Sequence, residues 1–181
     1  MAVERVEKLL GDVTRALDEA KVPYGVVGGN AVAAWVATID DGAVRATKDV
    51  DILVRRADLS AVGEALRPIG LMPVDVLGVK MFVDREHPSP KMGVHVVVAN
   101  ELVRPHYTHP APDPDETVRA ATGFLVVDLA ALLRMKLQSF RKIDQVHIED
   151  MLSVELIDEE LIGDLPPDLH ERFEEIRGAM E

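Results

Sequence analysis

Cysteine is absent from the 181 residues. That removes disulfides, thiolate metal sites and thiol catalysis, and it is compatible with a reducing, cytoplasmic setting, which is the expectation here. Aromatic residues are scarce at 4%, so the chain offers no evident stacking platform for a nucleobase. Long apolar runs are missing too: nothing approaches the ~20 residues that span a bilayer. The start, MAVERVEKLL, interleaves acids and bases instead of setting a basic stretch before an apolar block, so neither a membrane association nor a signal peptide is expected. Positive charge is in deficit, with 20 Lys and Arg against 32 Asp and Glu and a formal net charge of −12. Such a surface repels phosphate backbones and argues against extended DNA binding. Screening confines that field to about 8–10 Å, so a local basic cleft can still take a nucleotide.

What is present is an ordinary globular mixture, 48% hydrophobic and 29% charged. The length allows one well-filled core, or one domain with a small helical appendage. Val3, Val6, Leu10, Val13 and Leu17 recur at steps of three and four, which predicts an amphipathic helix over 3–20, closed by Pro23. Tyr24 to Val27 reads as a short strand broken by Gly28-Gly29. Asn30 is placed to cap a helix from Ala31 to about Thr38, the segment holding the only tryptophan, Trp35. A loop over 38–46 leads to KDVDILV at 48–54, where Val50, Ile52 and Val54 alternate with Asp49, Asp51 and Leu53; that period of two predicts a strand. Asp58 is placed to cap a helix running to about Arg67.

Short strands are expected near 72–77, 79–83, 94–99 and 124–127, with loops at 84–91 and, proline-rich, at 104–115. After Asp128 the pattern turns helical in two stretches, and Pro166-Pro167 opens a terminal helix ending near Gly178. The expected class is therefore α/β (α+β): a core over 1–127 and a helical segment over 128–181 packed on it.

Three features carry chemistry, in one order: a strand ending in Gly-Gly, a helix, and a strand bearing Asp-x-Asp. Glycine lets backbone approach a ligand closely. The N-terminus of a helix presents unpaired N–H groups to phosphate oxygens. Asp49 and Asp51, two apart on a strand, project to one face and suit a hard cation such as Mg²⁺.

GGN at 28–30, RATKDVDILV at 45–54 and LLRMKLQSFRKIDQVHIEDML at 132–152 together resemble the nucleotidyltransferase superfamily, and more narrowly its small bacterial nucleotidyltransferase-like proteins, some of them toxin–antitoxin components. The resemblance spans about residues 24–157. It implies a mixed sheet flanked by helices. It also implies transfer of a nucleoside monophosphate from an NTP to an acceptor hydroxyl, with Mg²⁺ or Mn²⁺ held by Asp49 and Asp51. The acceptor would be a protein, tRNA or a small molecule. By position, Gly28, Gly29 and Asn30 fall at the phosphates, Lys48 flanks the acids, and Lys136 reaches for the triphosphate.

The pattern departs at one place. The family's third acid falls here within Gly93-Val94-His95-Val96-Val97, so a histidine stands in its position. His95 leaves three readings open: a general base in a catalytic set with Asp49 and Asp51, an altered metal preference, or a site that binds nucleotide without turnover and serves as a sensor or a protein-interaction module. Asp75 is an alternative source of the missing acid.

Plainer readings stand beside each of these. Gly28-Gly29 is also a plain tight turn, His95 a structural histidine, and Arg45 with Lys48 a pair of bases able to neutralise the two acids without a metal. Arg141, Asp144, His147 and Asp150, spaced by three, read as a surface ladder of weak ion pairs or as an edge facing nucleotide or acceptor. His106 and His109 are spaced for zinc but lack a third ligand. Leu129, Leu132, Leu133 and Leu137 read as core.

Overall fold

The fold grows from one sheet packed on both faces. The computed structural model describes residues 2–180, without the side chains of Ala2 and Val3, so the place of Val3 on the first apolar stripe lies outside the described side chains. Helix α1 (Ala2–Glu19) buries Val6, Leu10, Val13 and Leu17, the stripe expected of it. Strand β1 (Gly25–Val27) runs directly into α2 (Gly28–Val36). Then come β2 (Val50–Val54), α3 (Leu59–Leu66), and a hairpin of β3 (Leu71–Val76) and β4 (Val79–Asp84). Strands β5 (Val94–Val98), β6 (Thr117–Arg119) and β7 (Leu125–Val127) follow. The chain ends in α4 (Leu129–Ser139), α5 (Lys142–Ser153), α6 (Glu159–Gly163) and α7 (Pro167–Met180).

The seven strands lie in the order β3-β4-β5-β2-β1-β7-β6. The pairs β2–β5 and β1–β7 are parallel and the other four are antiparallel. Alternation along the central strands splits their side chains between two cores. Val26, Ile52, Val94 and Val96 join the α1 and α3 residues on one face. Val27, Leu53 and Val127 join those of α2, α4, α5 and α7 on the other. Leu132, Leu133 and Leu137 are fully buried there, with Leu129 packed at the margin. Residues from both sides of position 128 thus share a single cluster. No helix of the described residues is long and apolar enough to cross a membrane.

Several local expectations change. Strand β6 and helix α6 were not expected from the sequence; each is very short, at 3 and 5 residues, too brief for a periodic signal. Asp58 occupies the N-cap position of α3, but its side chain makes no capping bond. The expected cap at Asn30 is also absent, because α2 begins three residues earlier, with Val27 at the N-cap. Asn30 is buried instead, and its Nδ2 donates to the Asp49 carbonyl at 2.7 Å.

The proline-rich connection is pinned, not loose. Arg55 Nε donates to Asp113 Oδ2 at 3.0 Å, and Asn100 Nδ2 donates to the same oxygen at 2.7 Å. His109 Nε2 lies 3.0 Å from Asp168 Oδ1 on α7, while His106 meets Tyr107 edge-on at 4.9 Å. The two histidines therefore have separate engagements, which removes the zinc reading.

Phe173, fully buried on α7, ties the last helix into the shared core. Phe173→Ala should cost about 3–5 kcal/mol, measured by urea unfolding. A single transition is expected from the shared cluster, so far-UV dichroism and Trp35 fluorescence should report coincident midpoints.

Candidate functional site

The register between β1 and β2 places Val27 opposite Asp51. The next residue, Gly28, has φ +69, and a Cβ there would lie 2.2 Å from Asp51 Oδ2. Any other residue would strain the backbone and collide with the carboxylate, so glycine is required on both counts. The chain then enters α2 with no side chain capping its first turn. Those N–H groups are left for solvent or an anion. The glycine turn and the acid are thus in van der Waals contact.

Asp49 lies just ahead of β2 and not within it. It is exposed, and its carboxylate makes no hydrogen bond or ion pair among the described residues. The parallel pairing of β2 with β5 sets Asp51 beside His95. His95 Nδ1 is 3.4 Å from Asp51 Oδ1, with both side chains about one quarter exposed. The hydrogen bond to Asp51 raises the His95 pKa above its ordinary 6.5; burial opposes this, and the charges of Asp51 and Asp49 add to it. Asp51 therefore turns one oxygen to the imidazole and the other to the glycine turn.

Neither base near the acids neutralises them. Arg45 is committed to α5, with Nε 2.8 Å from Asp150 Oδ2 and a second nitrogen 2.9 Å from Oδ1. Lys48 is exposed and forms no ion pair among the described residues. Asp75 is no substitute acid: it sits on edge strand β3, where Lys80 Nζ lies 3.4 Å away and the Gly78 N–H donates to it at 2.9 Å.

The helical block differs more. Lys136 does not extend toward a ligand; it is 5% exposed, and its Nζ lies 2.9 Å from Asp144, itself 1% exposed. Burial pushes the Asp144 carboxyl up, but hydrogen bonds from Arg141 and Lys136 and their charges outweigh it and hold the pKa at about 2. The surface ladder is likewise replaced. Asp144 and His147 are buried, Asp150 faces Arg45, and only Arg141 with Asp144 pairs along the helix.

Arg141 is a cation whose charge is coupled to that of Asp51. Its Nε bonds Asp144 at 2.8 Å, its side chain is largely exposed, and the charges of Asp51 and Tyr107 reach it. Sequence periodicity left Arg141 open between a surface ladder and an edge facing nucleotide or acceptor, because a step of three residues places a side chain on a helix without saying what the helix packs against. Thr47, whose hydroxyl would lie 2.8 Å from a Cβ at Gly29, gave no signal at all.

The site as built offers two carboxylates, an imidazole and an arginine around an open helix N-terminus. Among the described residues no group of three or more His, Asp or Glu side chains converges as metal ligands. Two carboxylates fit a Mg²⁺ ion that keeps its waters and takes its remaining ligands from substrate phosphates.

No protein-family model and no curated protein matches the sequence. Solved structures do match. An antigenic nucleotidyltransferase-like protein from Paracoccidioides brasiliensis aligns over 99% of this chain and 90% of its own, at 14% identity and a TM-score of 0.58. The lincosamide antibiotic adenylyltransferase LnuA aligns over 82% and 97%, at 17% identity and 0.56. The antibiotic-resistance factor ANT(2'')-Ia aligns over 100% and 86%, at 13% identity and 0.52. The chain has the fold of nucleotidyltransferases.

Two outcomes follow from this geometry. His95 has a raised pKa, so the stabilisation from its pair with Asp51 is full below pH about 6.5 and fades as pH rises through the raised value. An NMR titration of His95 should show its midpoint fall on Asp51→Asn. Lys136→Met with Arg141→Ala, which together strip both cations from the buried Asp144, should cost about 3–5 kcal/mol in urea unfolding, and each single change should cost less.

Proposed function

We propose that the chain, built on the nucleotidyltransferase fold, transfers a nucleoside monophosphate from an NTP to an acceptor hydroxyl. The observation that carries this reading is the contact between Gly28, at the open start of α2, and Asp51, with His95 Nδ1 3.4 Å from the other oxygen of the same carboxylate.

In this reading the α2 N-terminus takes phosphate oxygens on its free N–H groups. Arg141, whose charge is coupled to Asp51, adds positive charge to the site, in the role the sequence assigned to Lys136. Asp49 and Asp51 are the residues that would hold Mg²⁺ or Mn²⁺, which when bound supplies charge stabilisation at the phosphates. His95 has Nδ1 turned to Asp51, which leaves Nε2 for the acceptor. The neutral ring accepts the hydroxyl proton at Nε2 as the acceptor oxygen forms its bond to the α-phosphorus. The bond from the α-phosphorus to the bridging oxygen breaks, and pyrophosphate departs with that oxygen. Asp51 holds the imidazole in the tautomer that can accept, and stabilises the imidazolium that results.

The acceptor is a hydroxyl on a protein, tRNA or a small molecule. LnuA, one of the fold's members, is a lincosamide antibiotic adenylyltransferase, so lincomycin belongs in the acceptor panel beside cell extract.

A second reading keeps nucleotide binding without turnover, and the histidine in place of a third carboxylate favours it. Incubation with each α-labelled NTP, under Mg²⁺ and under Mn²⁺, separates the two. Transfer of label that falls about 10²-fold or more in Asp51→Asn and in His95→Gln supports the enzyme. NTP binding with no transfer, together with transfer gained by His95→Asp, supports the binding module.

A further inference from the structure

His147 is buried on α5 at 8% exposure, and its Nδ1 has no hydrogen-bond partner among the described residues. Buried nitrogens are rarely left unpaired, because they forfeit water without recovering a bond. The ring is turned to the glycine turn: a Cβ on Gly29 would lie 3.7 Å from His147 Cε1, the carbon between the two ring nitrogens. The same position would lie 2.8 Å from Thr47 Oγ1. A side chain at this second glycine would collide with Thr47, so its absence lets a hydroxyl, an imidazole edge and the first turn of a nine-residue helix with no capping side chain come together.

We propose that His147 is a phosphate ligand: with an NTP seated on the first turn of α2, Nδ1 donates a hydrogen bond to a phosphate oxygen. This inference rests on the reading that the site binds an NTP, and it adds a contact from α5 that the glycine turn and the carboxylates do not supply. The ring is suited to it. Burial, followed by the charge of Lys136, lowers the His147 pKa to about 4, with Arg45 acting in the same direction and Asp144 and Asp150 opposing. At neutral pH the imidazole therefore carries a single N–H, and it can be donated from Nδ1. An acid at the ring position would repel phosphate, and an aliphatic residue would leave the oxygen unmet.

The test uses the full chain with ATP, GTP, CTP, UTP and inorganic tripolyphosphate, each with Mg²⁺, by calorimetry. His147→Leu should weaken the tightest of these about 10- to 100-fold, the effect of losing a hydrogen bond to a charged group. His147→Asn, which sets an amide nitrogen where Nδ1 stood, should remain within about threefold of wild type. Equal affinity in wild type and His147→Leu overturns the proposal, as does an asparagine variant no better than leucine. Should either variant fail to fold, ¹⁵N imidazole spectra of the wild type decide instead. An Nδ1 resonance that shifts on nucleotide addition supports the contact, and an unmoved one removes it. Wild type that binds none of the five probes defeats the NTP reading itself, an outcome distinct from a wild type that binds and a histidine that proves idle.

Discussion

A carboxylate pressed against a glycine is the constraint on which the candidate site depends. The antiparallel register of β1 and β2 fixes it, because Val27 pairs with Asp51 and the chain must turn at the next residue. A slip of one residue would send Asp51 into the core on the other face and leave the turn facing an isoleucine or valine. Asn30 secures that register from the other side, since its amide holds the carbonyl of Asp49. The central strands are thus aligned by backbone pairing and also by a side chain from the helix they lead into.

Charge is handled in the site by sharing. Asp51 divides its two oxygens between a histidine and the turn, and Asp144 divides its own between Lys136 and Arg141. The second arrangement places a full carboxylate where water is nearly absent, which the fold tolerates only because two cations and a backbone N–H converge on it. Lys136 gives up solvent while Arg141, held by the same fixed partner, keeps its side chain exposed. A chain with a formal charge of −12 therefore presents a local cation whose charge is coupled to Asp51.

Much of this was legible in the sequence, and the reason is period. The α1 stripe, the KDVDILV alternation and the leucines after Asp128 each repeat often enough to fix an element and a buried face. The order Gly-Gly, helix, Asp-x-Asp gave the site's centre, because all three lie within one short stretch of chain. What failed was anything that depends on packing between distant elements. Lys136 looks free on its own helix and is covered by α5. Arg45 looks like a partner for Asp49 and is claimed by Asp150, 105 residues away. Asn30 has the composition of a cap, yet Gly28 can take the positive φ that starts the helix three residues sooner. His109 finds its partner on α7, a helix that no motif connects to the proline-rich stretch.

The chain's one tryptophan stands on α2, seven positions beyond Gly28, with its indole N–H donating to the Val127 carbonyl at 2.9 Å. It shares a short rigid rod with the glycine turn and bonds a strand that flanks β1. Tryptophan emission from this molecule therefore comes from a single indole about 10 Å along the same helix from the glycine turn. The indole is held by a polar contact to the sheet. Any event that tips α2 against the sheet is reported optically, with no dye attached and no second indole to dilute the signal.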